Sequence, residues 1–115
     1  MKRFSACLVL LLLVFGYTAW GENHNIVTDH KKVEGVCEQC KKRIEDAAYV
    51  KGVKTAEWNP DTRDLYLRYD STKTNTEIIL KSVAKAGHDN ELFKADDADY
   101  AKLPKCCRYK TVKKH

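Results

Sequence analysis

The sequence predicts an α+β fold of the ferredoxin-like, βαββαβ type, in which two helices cover one face of a four-stranded antiparallel sheet. Three observations lead to this prediction. Segments with strand and helix patterns follow one another in the order strand, helix, strand, strand, helix, strand. A short turn around Pro60 joins the two central strands as a hairpin. The chain has 115 residues, which is enough for one domain.

The first two elements are a strand and a helix. Residues 26–33, IVTDHKKV, mix β-branched and polar side chains as strands do, and Gly35 breaks this pattern. From Cys40 onward the apolar spacing becomes helical, and Gly52 marks the end of the helix. The residues that share its apolar face are Cys40, Ile44, Ala47 and Ala48.

The central hairpin is predicted by two alternating segments. VKTAEWN (53–59) is the second strand, and DLYLRY (64–69) has the clearest alternation of apolar and polar residues in the chain. The residues predicted to face the core are Ala56, Trp58, Leu65, Leu67 and Tyr69.

The second helix and the last strand follow. Thr74 and Glu77 in TNTE have the spacing of a capping box, and Gly87 lies where a helix would stop. NELFKA (90–95) is predicted to be the fourth strand, and 96–103 one or two helical turns. The tail from residue 106 onward is expected to be loose. The apolar stripe of the second helix is Ile79, Leu80, Val83, Ala84 and Ala86.

The first 21 residues differ from the rest of the chain. A basic start, MKR, precedes the apolar run ACLVLLLLVF, which is shorter than the roughly 20 residues that span a bilayer. Small residues at Ala19 and Gly21 complete the pattern of a secretory signal that is cut after Gly21. An uncleaved membrane anchor is the alternative. We expect an exported protein without stable membrane insertion after cleavage.

Charge and composition exclude several function classes. Cleavage after Gly21 leaves 19 of the 21 basic side chains against 16 acidic ones, a net charge of +3. The signs are mixed except in the basic tail, and no aromatic-rich basic face points to nucleic acid. The sequence shows no Ser-His-Asp set, paired-carboxylate pocket or phosphate-binding glycine loop. We therefore expect neither a nucleic-acid-binding protein nor an enzyme.

Four cysteines remain once Cys7 has left with the signal. They form two close pairs, Cys37 with Cys40 and Cys106 with Cys107. An even number in an exported protein points first to disulfides. However, neither pair connects distant parts of the chain, and adjacent cysteines pair only in a strained ring. Bridges between the two pairs remain an alternative.

The sequence VCEQC places two thiols at the start of the first helix. The helix dipole and the basic residues 41–43 favour a thiolate there. The three-residue spacing lets Cys37 and Cys40 reach one ion, and two thiolates suit a soft cation such as Cu(I) or Hg(II). Thiol–disulfide enzymes also use this spacing, usually in a parallel βαβ setting that differs from the order here. A purely structural disulfide is the third alternative.

The segments VEGVCEQCKKRIEDAAYVKGVKTAEWNPDTRDLYLRYD and ILKSVAKAGHDNE resemble heavy-metal-associated domains. This family includes copper chaperones, modules of copper-transporting ATPases and the periplasmic mercuric-ion-binding protein. The resemblance, over residues 26–94, implies that Cys37 and Cys40 bind Cu(I), with Hg(II) or Zn(II) as alternatives. It also implies transfer by thiol exchange to a metal transporter or another metal-binding domain, in the bacterial periplasm. The chain then divides into a signal (1–21), a heavy-metal-associated domain (22–95) and a C-terminal extension (96–115).

Two departures from the family pattern concern the site. The family usually has Gly-Met-x-Cys-x-x-Cys, whereas Gly35-Val36-Cys37 is one residue shorter and lacks the methionine. His88 stands where relatives often have an aromatic residue, in a loop that faces the metal in the family fold. His88 is therefore a candidate third ligand, and a solvated loop histidine is the alternative.

The pair Cys106-Cys107 lies beyond the usual end of the family domain. Three alternatives are open: completion of a three- or four-sulfur site for Zn(II) or a Cu(I) cluster, a disulfide to the first pair, or a separate exposed thiol pair. A second, independent site is predicted at the new amino terminus, Glu22-Asn23-His24. There the amine, two amides and the His24 imidazole have the arrangement of a square-planar Cu(II) or Ni(II) site, with an ordinary polar leader as the alternative.

Overall fold

The computed structural model describes residues 25–111. The predicted signal, His24 and residues 112–115 lie outside this range. Within it, no helix is long and apolar enough to cross a membrane. The elements are β1 (Ile26–Lys32), α1 (Glu38–Ala48), β2 (Val53–Trp58), β3 (Asp64–Asp70), α2 (Thr76–Lys85), α3 (Asp97–Ala101) and a 3-10 helix (Lys105–Cys107).

The three strands form one antiparallel sheet in the order β1-β3-β2. Ile26 pairs with Asp70 and Lys32 with Asp64, and Trp58 of β2 pairs with Leu65. The predicted hairpin is confirmed. So is the predicted alternation, since one face of the hairpin is buried in the core together with residues of α1 and α2. The buried hairpin residues are Ala56, Trp58, Leu65, Leu67 and Tyr69.

The predicted fourth strand at residues 90–95 does not form in this structure. A single antiparallel bridge joins Asn90 to Val33. Beyond it the Asn90 side chain accepts hydrogen bonds from the backbone N–H groups of Leu92 (3.1 Å) and Phe93 (3.0 Å). These local bonds turn the chain back on itself and compete with the ladder that a strand would need. The described sheet therefore has three strands.

Both main helices bury most of the predicted faces, with Ala47 and Ala86 only partly buried, but the helices begin at other residues than predicted. Helix α1 starts at Glu38, with Cys37 as its N-cap. Helix α2 is capped by Asn75, whose side chain accepts from the Ile78 N–H at 2.9 Å, so the predicted cap at Thr74 is wrong. The Thr74 N–H still bonds the Asp70 carbonyl of the preceding turn at 3.1 Å, which keeps this residue outside the helix. The buried positions of the two helices are Cys40, Ile44, Ala48, Ile79, Leu80, Val83 and Ala84.

The C-terminal extension is docked on the domain, whereas the sequence predicted a loose tail from residue 106. Leu103 and Cys107 are part of the core. Leu103 lies against Gly87, where a Cβ added to the glycine would approach the leucine Cδ2 to 2.9 Å and where φ is +103°. The Tyr109 hydroxyl donates to the Gly87 carbonyl (2.9 Å) and accepts from the Asp89 N–H (2.9 Å). The buried Leu103 and Cys107 and the two hydrogen bonds of Tyr109 thus help to hold the extension in place.

Candidate metal site

The loop between β1 and α1 places the first two thiols. Cys37 has extended backbone angles and its carbonyl accepts the first helical bond, from the Lys41 N–H at 3.0 Å. Cys40 lies in the first helical turn and is fully buried. Their Sγ atoms are 3.6 Å apart. This separation is well beyond the roughly 2.05 Å of a disulfide, so the pair is two thiols that converge on one position.

Trp58 fixes the conformation of this loop through contacts of its indole ring. The indole Nε1 donates to the Val33 carbonyl at 3.0 Å. A Cβ at Gly35 would lie 2.8 Å from the indole Cη2 and 3.1 Å from the Cys40 Cβ. Glycine is therefore the residue that lets the backbone approach both groups. Val36, next to Cys37, packs half-buried against the core in this loop, which lacks the family methionine.

A third thiol comes from the extension. The 3-10 helix turns the fully buried Cys107 toward the first pair. The Sγ atoms of Cys37, Cys40 and Cys107 all lie within 4.8 Å of one another, and we call them the three-thiol group. Across residues 25–111 it is the one cluster of at least three potential metal-ligating groups at that spacing.

Cys106 lies at the rim, outside the three-thiol group. It is exposed, and its Sγ donates to the Gln39 Oε1 at 2.7 Å. Its carbonyl accepts from the Cys37 Sγ at 3.3 Å. Its own Sγ is 3.9 Å from that of Cys107. The adjacent cysteines therefore have different surroundings, one in water and one in the core.

His88 is buried rather than solvated, which excludes the alternative of an exposed loop histidine. Its Nδ1 lies 2.7 Å from the Glu34 carbonyl, which only accepts, so Nδ1 carries the hydrogen. Its Nε2 is buried and has no hydrogen-bond partner among the described residues. The ring stacks on Tyr109, with centroids 5.6 Å apart. Burial lowers the pKa of His88, which keeps the ring neutral. His88 is not part of the three-thiol group.

The three thiols differ in how readily they ionise. Burial opposes ionisation of Cys37, but contacts with the backbone and thiol of Cys40 and the backbone of Gln39 outweigh it, and the pKa of Cys37 is lowered. Burial raises the pKa of Cys40. Burial, and then the proximity of the Cys40 thiol, raises the pKa of Cys107 strongly. Cys37 is therefore the first of the three to become a thiolate, and an incoming ion would displace protons from the other two.

Two of the three basic residues after the motif, Lys41 and Arg43, have other partners. The Lys41 ammonium pairs with Glu45 and donates to the Trp58 carbonyl at 3.2 Å. The Arg43 guanidinium donates to the Ala86 carbonyl at 3.2 Å. The start of the helix, rather than these side chains, therefore provides the favourable surroundings of the Cys37 thiolate.

The structure brings together three of the predicted site residues and leaves others apart. Cys37, Cys40 and Cys107 meet, Cys106 lies beside them, and His88 lies outside their group. The predicted site at His24 falls outside the described residues. Sequence reasoning missed the residues that dock the extension. Their only signal was a few apolar and aromatic residues, such as Leu103 and Tyr109, in an otherwise polar extension.

Comparisons with known proteins identify the family of the chain. The profile of the heavy-metal-associated domain matches residues 32–89. The copper chaperone CopZ of Staphylococcus epidermidis is 35% identical over 60 residues, which cover 50% of this chain and 88% of that protein. A solved CopZ metallochaperone superimposes with a TM-score of 0.54 at 26% identity, over 56% of this chain and 98% of that one. The structure of oxidized MerP from Ralstonia metallidurans CH34 superimposes with a TM-score of 0.54 at 26% sequence identity. The match covers 57% of this chain and 94% of that one. The profile match ends before the extension.

Proposed function

Because the chain belongs to the heavy-metal-associated domain family, we propose that it binds Cu(I) through the thiolates of Cys37 and Cys40 and passes the ion to a partner protein. The family consists of metal-binding domains, so the chain is a metal-binding protein and not an enzyme. The ion is the cargo of this protein rather than a cofactor of a reaction.

The observation that carries the proposal is the convergence of two reduced thiols at a helix start. Their sulfurs are 3.6 Å apart, and the pKa of Cys37 is lowered by its surroundings. Thiolates select soft cations over hard ones such as Mg(II) and Ca(II). Two thiolates also compensate the charge of Cu(I) or Hg(II) at a partly buried site, where an isolated charge would be costly.

Copper is proposed ahead of the alternatives on the strength of the comparisons. The curated relative described as a copper chaperone is 35% identical over 60 residues, whereas the solved structures of CopZ and MerP are equally similar to this chain, both at 26% identity. Hg(II) binding is the second candidate, because it uses the same two sulfurs. Zn(II) is the third, and it usually takes four protein ligands in a closed site. His88 and Cys106 remain secondary ligand candidates.

Transfer by thiol exchange is supported by the unequal exposure of the pair. Cys40 is fully buried and Cys37 is half-buried, so an attacking thiolate reaches the ion from the Cys37 side. The partner we propose is a metal transporter or another metal-binding domain with thiols of its own. Because one ligand is accessible, a thiolate of the partner can bind the ion before Cys37 and Cys40 release it, so the ion is never free in solution.

We also propose that the protein is exported, in a bacterium to the periplasm. The support is the leader pattern in residues 1–21. Intact-mass analysis of the protein expressed with its leader is the test. A mature chain that begins at Glu22 supports both export and the Cu(II) or Ni(II) site at His24. A chain that retains its leader contradicts both.

The proposed function is tested by anaerobic Cu(I) titration of the reduced protein against a competing chelator, with thiols counted in parallel. We expect tight binding by the unmodified protein. Replacement of Cys37 and Cys40 together by Ser should abolish it, because both primary ligands are removed. Full affinity in that variant would refute the assignment. Weak binding by an unmodified protein whose cysteines are isolated oxidised would favour the redox or structural-disulfide alternatives.

A further inference from the structure

We propose that Cys107 is a third thiolate ligand, so that the C-terminal extension converts the two-cysteine motif into a closed three-sulfur site. The inference depends on the proposed function, since it assumes that Cys37 and Cys40 hold the ion. It concerns a residue outside the segment that matches the family profile, which ends at residue 89. The ligand class is a soft cation that accepts three thiolates, such as Cu(I) or Hg(II).

The sulfur separations favour three-fold over two-fold coordination. With metal–sulfur bonds of about 2.3 Å, two sulfurs on opposite sides of an ion are about 4.6 Å apart, whereas three in a plane are about 4.0 Å apart. The Cys37 and Cys40 sulfurs are 3.6 Å apart. A linear complex would lengthen this distance by about 1 Å, whereas a trigonal one would lengthen it by only about 0.4 Å and shorten the distances to the third sulfur by at most about 0.8 Å. The third sulfur already lies within 4.8 Å of both.

The position of Cys107 is set by contacts that dock the extension on the domain. Leu103 is buried against Gly87, and the Arg108 Nε donates a hydrogen bond to the Leu103 carbonyl at 3.2 Å. Tyr109 adds its two hydrogen bonds at the far end of the 3-10 helix. Cys107 is therefore held from both sides. A ligand that is ordered in advance loses little conformational entropy when the ion binds.

The neighbouring cysteine provides a matched control within the same short helix. A buried cysteine also serves as a small apolar side chain, and packing alone would explain the burial of Cys107. Cys106 has the same chemistry and adjacent sequence position, but its thiol is exposed and faces Gln39. Substitution of either cysteine removes one sulfur atom from the protein. Only the substitution of Cys107 should reduce the number of sulfur ligands of the ion.

The experiment is X-ray absorption spectroscopy of the full-length reduced protein loaded with one equivalent of Cu(I), together with chelator competition. We expect three sulfur ligands in the unmodified protein and in Cys106→Ser, and two in Cys107→Ser. The Kd for Cu(I) should rise about tenfold or more in Cys107→Ser, and little in Cys106→Ser. Cys107→Ala serves as a second variant, in case a buried hydroxyl disturbs the extension.

The outcomes separate the two proposals. Two sulfurs in the unmodified protein, or a third that persists in both Cys107 variants, would overturn the three-sulfur site. If Cys106→Ser loses the sulfur instead, the third ligand is the exposed cysteine and the inference is wrong. All three of these results leave the proposed Cys37–Cys40 site intact. Undiminished Cu(I) binding by the double variant Cys37→Ser/Cys40→Ser would refute the proposed function itself. The sulfur count of the unmodified protein needs no variant and is independent of folding defects.

Discussion

Leu103→Ala should release the extension from the domain while leaving the sheet and the two long helices folded. Leu103 is 1% exposed and fills the space above Gly87. Burial of a leucine side chain contributes about 1.5–3 kcal/mol, and Leu→Ala in cores costs about 2–5 kcal/mol. The two hydrogen bonds of Tyr109 contribute about 1 kcal/mol each. The substitution thus removes a large share of the free energy that docks this terminal segment.

The assay is the rate of alkylation of Cys107 in the native, metal-free protein, read peptide by peptide in a mass spectrometer. A loss of about 2 kcal/mol raises the open fraction roughly thirtyfold, and the alkylation rate of Cys107 should rise in proportion. Cys106, already exposed, serves as the internal reference. Leu92→Ala is the matched control, since Leu92 is 45% exposed and its truncation should leave the rate unchanged. Continued protection of Cys107 in Leu103→Ala would refute the view that this leucine anchors the extension.

Two further predictions concern stability. Because burial lowers the pKa of His88, the unfolded chain binds its proton at a higher pH than the folded one. In the metal-free protein the contribution of His88 to stability should therefore be complete above about pH 6.5 and be lost progressively as the pH falls below that value. Urea denaturation at several pH values should show a shallower loss in His88→Gln, and identical pH profiles would contradict this. Asn75→Ala should cost about 0.5–2 kcal/mol, because it removes the cap of α2. Thr74→Val should lower the stability less, since the hydroxyl has no hydrogen-bond partner in the described part of the chain. If thermal denaturation shows a larger loss for Thr74→Val than for Asn75→Ala, Thr74 is the cap of α2 after all.

The elements that local periodicity determines could be predicted from the sequence. The alternation of Leu65, Leu67 and Tyr69 and the helical spacing of Cys40 and Ile44 report which face is buried, and the structure agrees. The fourth strand could not be judged in this way. Its pattern is short, and the Asn90 side chain offers the backbone local hydrogen bonds that outcompete the ladder.

The site was predictable where sequence spacing fixes geometry, and not where tertiary contacts do. Two cysteines three residues apart at a helix start must lie close together, as Cys37 and Cys40 do. Cys106 and Cys107 are adjacent in the sequence, and nothing in the local sequence shows which of the two side chains is buried. That choice depends on the 3-10 helix and on the packing of Leu103, which joins residues that are distant in the sequence.

The missing fourth strand leaves β1 as an open edge of the sheet. Apart from the bridge at Val33, no strand among residues 25–111 pairs with its outer side. Open edges are templates for the addition of strands from other molecules, and proteins protect them with charge. Here 29–32 is a run of four ionisable residues, and the Glu91 side chain accepts the Lys32 N–H at 2.9 Å. If a second molecule added its own β1 to this edge, the ionisable residues 29–32 of the two molecules would lie next to each other. The edge therefore discourages self-association through β1, which is compatible with the proposed transfer of an ion to a partner protein at the thiol-bearing loop.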